Sequence, residues 1–176
     1  MRVVAGTAKG RRLVAPAGRV TRPTSDRVRE SIFNALHSLD AVEGARVLDL
    51  FAGSGALGIE ALSRGAAHCT FVESAPLALA AVRANLDATG LRNRARVVPS
   101  TAEAYLAAAP PAVDLALCDP PYGFDRWDEL LAVLPATTVV IESDRSVALT
   151  GPWAAGRMRR YGGTVVTFGH RAERGT

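Results

Sequence analysis

Arg46-Val47-Leu48-Asp49-Leu50-Phe51-Ala52-Gly53-Ser54-Gly55-Ala56-Leu57-Gly58 decides the fold of this 176-residue chain. Arg46 to Leu50 reads as a buried strand, an apolar run ended by a turn signal. Gly53, Gly55 and Gly58 follow in a G-x-G-x-x-G pattern. Ile59-Glu60-Ala61-Leu62-Ser63-Arg64 then reads as a helix stopped at Gly65. Glycines between a strand and a helix permit a tight turn and let a ligand approach the backbone closely. Strand, glycine loop and helix in that order open a βαβ unit.

The next run, Ala67-His68-Cys69-Thr70-Phe71-Val72-Glu73, is β-rich and ends in an acid. An acid at the end of a second strand can accept both hydroxyls of a ribose. The fingerprint to this point suits NAD as well as S-adenosylmethionine. Asp49 separates them. A carboxylate just before the glycine loop suits the ammonium of a methionine moiety, directly or through water, whereas a pyrophosphate gains nothing from a negative charge there.

Alternation continues toward the C-terminus. Helices are expected at about Pro76 to Thr89, Thr101 to Ala109 and Trp127 to Leu134. Strands are expected at Ala95 to Val98, up to Cys118, and at Thr137 to Glu142. Arg157 to Tyr161 and Thr164 to Phe168 flank Gly162-Gly163, a hairpin signal. An antiparallel pair closing a mainly parallel seven-stranded sheet is the methyltransferase variant of the Rossmann-like α/β fold, and a plain dinucleotide-binding domain would not end this way.

Val113 to Cys118 runs into Asp119-Pro120-Pro121-Tyr122. Two prolines cannot continue a sheet, because each lacks the ladder N–H. They fix the backbone past the strand's C-terminal edge, where open α/β sheets hold ligands. Asp119 offers a carboxylate at a rigid rim and Tyr122 a flat ring beside it. Those parts suit an exocyclic amine on a planar base. Asp119 and the Pro120 carbonyl would accept the two N–H bonds, localise the nitrogen lone pair and favour direct transfer. The catalytic set is therefore Asp119, Pro120 and Tyr122.

These segments resemble a known family, the bacterial small-subunit ribosomal RNA guanine-N2 methyltransferases of the D type. Asp49 to Gly65 and Asp119 to Tyr122 carry the likeness. The N-terminal stretches Gly10-Arg11-Arg12-Leu13 and Arg22-Pro23-Thr24-Ser25-Asp26-Arg27-Val28-Arg29-Glu30 carry it more selectively. It covers roughly Arg2 to Arg171. It implies a class I S-adenosylmethionine-dependent methyltransferase fold, with that cofactor and no metal, acting on a guanine of small-subunit rRNA in an assembled or partly assembled subunit. The expected cofactor residues are Asp49, Phe51, Gly53, Ser54, Gly55 and Gly58, then Glu73 and Ser74, then Ser100 and Thr101, with Asp119 at the rim. Pro99-Ser100-Thr101-Ala102-Glu103 departs from many methyltransferases in having no Asp or Asn for the adenine amine, which leaves backbone or Ser100. Expected substrate contacts are Arg11, Arg12, Arg22, Thr24, Arg27, Pro121 and Tyr122. An adenine-N6 methyltransferase, a non-catalytic rRNA-binding assembly factor and an NAD-dependent oxidoreductase are the rival readings.

Charge agrees with a polyanion partner. Residues 1–29 hold eight basic residues and one acid, a net of +7, which leaves −3 for the remainder. Residues 1–24 are expected to form a basic β-hairpin and loop, with strands Arg2 to Gly6 and Arg11 to Ala15, and residues 25–176 the methyltransferase domain. Ser25 is placed to cap a helix to about Leu39, with Val28, Ile32, Phe33, Leu36 and Leu39 as its apolar stripe. Arg29 is the basic residue best suited to a structural role on that helix. No apolar run is long enough to span a bilayer, and Met1-Arg2-Val3-Val4 does not start a signal peptide. Cys69 and Cys118 read as core thiols of a reduced protein, and His37, His68 and His170 are scattered. A cytoplasmic monomer without a metal site is the expectation.

Overall fold

The computed structural model describes residues 1–16 and 25–172. Seven strands form one sheet: β1 (Arg46–Leu50), β2 (His68–Glu73), β3 (Ala95–Pro99), β4 (Val113–Cys118), β5 (Ala136–Ser143), β6 (Trp153–Tyr161) and β7 (Thr164–Arg171). Their order is β3-β2-β1-β4-β5-β7-β6. The first five are parallel, and β7 runs antiparallel to both its neighbours. Sequence order reverses between β1 and β4, which opens a crevice at the carboxyl ends of those strands.

Among the described residues, five α-helices cover the two faces: α1 (Asp26–Ser38), α2 (Ala56–Ser63), α3 (Pro76–Thr89), α4 (Ala102–Ala107) and α5 (Trp127–Val133). Side chains alternate across each strand, so neighbours enter opposite layers. Val47, Phe71, Leu117 and Val140 pack in the layer that holds α1, α2 and α3 residues. Leu48, Ala116, Ile141 and Trp153 pack in the layer that holds α4 and α5 residues. Burial on both faces explains why the central strands read as near-continuous apolar runs.

Ser25 caps α1 as expected, accepting from the Val28 N–H at 3.2 Å. Val28, Ile32, Phe33 and Leu36 are buried, but Leu39 lies past the helix end and is exposed. Helix α2 begins at Ala56, three residues before the expected Ile59, because Gly58 is taken into the helix. A Cβ on Gly58 would lie 2.4 Å from a ring carbon of Phe71 and 2.7 Å from the Cys69 sulfur. Glycine there sets the close approach of helix to sheet. Gly58→Ala is accordingly expected to destabilise the fold by about 1–3 kcal/mol despite alanine's higher helix propensity. A denaturant midpoint equal to that of the parent would refute this.

The N-terminal hairpin is present but short. The two expected segments pair at one antiparallel bridge between Arg2 and Arg12, where the Val3 N–H donates to the Arg11 carbonyl and the Leu13 N–H to the Met1 carbonyl, each at 3.0 Å. Beyond that pairing, α2 and α3 compete for the backbone. The Val4 and Ala5 N–H groups donate to the Glu60 carboxylate at 2.8 and 3.0 Å. The Ala8 N–H donates to Ser63 Oγ, and the Val14 N–H to Asn85 Oδ1. Gly6, at φ +81°, sits so close to the Ser63 carbonyl that a Cβ would fall 1.8 Å from its oxygen. Val3, Ala8 and Leu13 are buried in the α1–α3 layer, so this segment is packed onto the sheet domain. Arg29 is fully buried, 2.7 Å from Asp26 and 3.6 Å from Glu60, which matches its structural reading.

Candidate active site

A cleft of about 710 Å³ opens over the carboxyl ends of β1 to β5. The end of β1 brings Asp49 and Phe51 to it, and the loop brings Gly53 and Ser54. The end of β2 brings Glu73 and Ser74. The end of β3 brings Ser100 and Thr101, and Asp119 to Tyr122 enter after β4. Gly55 and Gly58 are the two expected cofactor residues that do not line it. Gly55 (φ +77°) turns the loop against Phe71 and Val82, and Gly58 fits α2 to the sheet. Both shape the cradle without facing into it.

Asp49 is 1% exposed, and its Oδ2 accepts the Gly58 N–H at 2.9 Å. Burial pushes its carboxyl up to about 8, the nearby charges of Asp119 and Glu73 add to that, and the Gly58 N–H opposes it. Glu73 ties the loop in place. Its Oε2 accepts from Gly53 N–H at 2.9 Å, and its Oε1 from Ser74 and Ala75 N–H at 2.8 Å each. With roughly four acceptor sites on a carboxylate, about one remains for a ligand hydroxyl. The Thr101 hydroxyl caps α4, accepting from the Ala104 N–H.

At the mouth, Pro120 is buried, Asp119 is partly buried, and Tyr122 is 59% exposed. Phe124 meets Phe51 edge-on at 5.4 Å and Trp127 at 4.9 Å, building an aromatic wall. Phe124 and Glu142 line the cleft and were not anticipated. Glu142 is buried near the end of β5. The pairing of Cys118 with Ile141 sets Asp119 and Glu142 on adjacent strand ends. An acid closing a parallel strand was the available signal for it. Met1, Ala15 and Pro16 also reach the cleft. Arg11, Arg12 and Arg27 are exposed and outside its lining. Arg22 and Thr24 lie outside the described residues.

Cys69 and Cys118 are buried free thiols, and burial together with the Asp49 carboxylate pushes both upward, away from thiolate character. Among the described residues, no cluster of His, Cys, Asp and Glu is arranged to hold a metal ion, and no helix is long and apolar enough to cross a membrane.

Asp49, Glu73, Asp119 and Glu142 make the crevice acidic. Such a site suits a cationic ligand and opposes a pyrophosphate. The family model described as conserved hypothetical protein 95 matches residues 1–170. The chain belongs to this family. "Putative rRNA methyltransferase YlbH" of Bacillus subtilis is 42% identical, over 96% of this chain and 97% of that protein. "Ribosomal RNA small subunit methyltransferase D" of Escherichia coli is 40% identical, over 76% of this chain and 66% of that protein. The solved structure of "Putative methyltransferase yhhF from Escherichia coli" superposes with a TM-score of 0.85 at 34% identity, covering 97% of each chain. The family member described here therefore has the S-adenosylmethionine-dependent methyltransferase fold, and S-adenosylmethionine is its cofactor. The acidic cleft, lined by Asp49, Glu73 and the Gly53-Ser54 loop, suits that sulfonium- and ammonium-bearing molecule.

Proposed function

We propose that this enzyme methylates the exocyclic N2 amine of one guanine in small-subunit ribosomal RNA. The observation that carries the reading is the rim itself: Asp119, the Pro120 carbonyl and the exposed Tyr122 ring at the mouth of an acidic cofactor cleft. When bound, S-adenosylmethionine supplies an electrophilic methyl group.

The chain's own residues do the rest. The guanine N2 lone pair is delocalised into the ring, so the amine is a poor nucleophile until its hydrogens are held. Asp119 and the Pro120 carbonyl accept the two N–H bonds and direct the lone pair toward the cofactor side. Tyr122 stacks on the base, and Pro121 borders it. Positioning supplies much of the rate. After transfer the proton leaves to Asp119 or to water. The buried, protonated thiols give no covalent route. Asp49 receives the cofactor's ammonium and Glu73 a ribose hydroxyl. Phe51, Ser54, Ser74, Ser100 and Thr101 complete that pocket.

Residues 1–24 act as the rRNA-contacting extension, with Arg11, Arg12 and Arg22 on phosphates, Thr24 beside them and Arg27 on α1. The substrate is an assembled or partly assembled small subunit, and the enzyme works as a cytoplasmic monomer. The target base must be unpaired or flipped from its stack, at a cost of a few kcal/mol.

The deciding experiment supplies labelled S-adenosylmethionine and small subunits from cells lacking this activity, then identifies the modified nucleoside by mass spectrometry. N2-methylguanine is the expected product. N6-methyladenine would move the assignment to an adenine enzyme. Tight subunit binding without transfer would make the chain an assembly factor.

A further inference from the structure

We propose that the edge strand β6 is a second RNA-backbone site, with Arg157, Arg159 and Arg160 gripping phosphates that flank the target nucleotide. This rests on the rRNA substrate proposed above. All three arginines are exposed, and none has a carboxylate partner among the described residues. Strand β6 ends the sheet order, so among the described residues one side of it pairs with no other strand.

Register places this strip at the right height. Arg160 pairs with Val165, and Val165 pairs with Ser143, the residue after Glu142 of the cleft. Strands lie about 4.8 Å apart, so β6 stands roughly 10 Å from β5 at the level of the cleft. The strip also joins the N-terminal basic region. Arg159 pairs with Val166, which belongs to the layer beneath α1. Two residues on, the Tyr161 hydroxyl is 2.5 Å from Ser31 Oγ on α1. Arg27 is exposed one helical turn before Ser31, on the same side of α1. A positive path therefore runs from Arg27 across α1 to Arg159 on the same face of the outer strand, with Arg160 on that strand's opposite face. An RNA strand presenting its base to Tyr122 would find these cations beside the cleft.

The test is a triple variant, Arg157→Glu, Arg159→Glu and Arg160→Glu, compared with the triple Lys variant. Binding to small subunits, and to protein-free small-subunit rRNA, is measured across a salt series. The expected result is an affinity loss of about tenfold or more at low salt for the Glu variant, with a salt slope shallower by about two. The Lys variant keeps the parent slope, because charge and not packing is at issue. Thermal midpoint and S-adenosylmethionine affinity stay unchanged in both, which shows that the fold and cofactor pocket are intact. An unchanged slope in the Glu variant would overturn the inference and leave the arginines as charges that guard an open edge against strand pairing. Weakened subunit binding with parent-like binding to bare rRNA would also overturn it, by placing a ribosomal protein on the strip. Absence of rRNA binding in the parent protein itself would instead refute the substrate reading.

Discussion

Asp119→Ala is expected to lower single-turnover methyl transfer by about 10³-fold, equivalent to about 4 kcal/mol of transition-state stabilisation. The carboxylate sits where β4 ends and two prolines hold the backbone, so it meets the amine without reorganising. Its removal takes away an acceptor for one N–H bond and the nearest base for the departing proton. The Pro120 carbonyl remains, which accounts for residual activity. Asp119→Asn keeps one acceptor oxygen but no charge and is expected to fall between the two. Calorimetric titration with S-adenosylmethionine should show at most a modest change in affinity, because Asp49 and the Glu73-held loop are untouched. Transfer at the parental rate by the alanine variant would sink the proposed mechanism.

The parts of this site that were legible in the sequence are those encoded locally. A strand, a glycine loop, a helix and an acid 20 residues after Gly53 fixed the βαβ unit. The Gly53 N–H to Glu73 hydrogen bond spans just that separation. The Pro-Pro dipeptide fixed the β4 rim for the same reason, since proline constrains its own φ and removes its own donor. Gly162-Gly163 likewise announced the closing hairpin, although β6 begins at Trp153 and not at Arg157. There the Trp153 indole N–H reaches the Leu131 carbonyl, a contact between strand and helix layer that periodicity does not encode.

What sequence reading missed depends on distant partners. Glu60 and Ser63 on α2 and Asn85 on α3 take the N–H groups of Val4, Ala5, Ala8 and Val14 across separations of 55 to 71 residues, and this shortens the expected hairpin ladder. Asn85 also donates to the carbonyls of Val14 and Ser54, so the N-terminal segment and the glycine loop share one side chain. Phe51 adopts φ +70°, a conformation costly for a bulky residue, and places its ring against Phe124 in the cleft wall. No local pattern marks that strain. Glu142 escaped notice because an acid ending a strand is ordinarily a solvated end. Only the pairing of β4 with β5 brings it beside Asp119.

Asp49→Asn should make the cofactor-free protein more stable while crippling cofactor binding. The sign follows from the raised carboxyl. In the unfolded chain Asp49 titrates near 3.8, and in the folded protein near 8. Below about pH 4 it is protonated in both states and costs the fold nothing. Between about pH 4 and 8 the unfolded chain releases its proton and the folded protein keeps it, so stability falls as pH rises. Above about 8 the folded carboxyl ionises too, and the loss reaches its full value. Asparagine has no proton to keep, and its Oδ1 still accepts the Gly58 N–H. Parent and variant should therefore unfold at similar denaturant concentrations at pH 4.5 and diverge by pH 8, the variant ahead by a few kcal/mol. S-adenosylmethionine should raise the thermal midpoint of the parent and leave that of the variant nearly unmoved, because the ligand's ammonium favours the ionised Asp49 carboxylate, a form that asparagine cannot adopt. Part of the divergence should already appear in Asp119→Ala, since the Asp119 charge helps to hold the Asp49 carboxyl up. Superimposable stability curves for parent and Asp49→Asn across that range would mean that the folded carboxyl ionises as readily as the unfolded one. The raised Asp49 carboxyl, and with it the coupling of its ionisation to cation binding, would then have to be discarded.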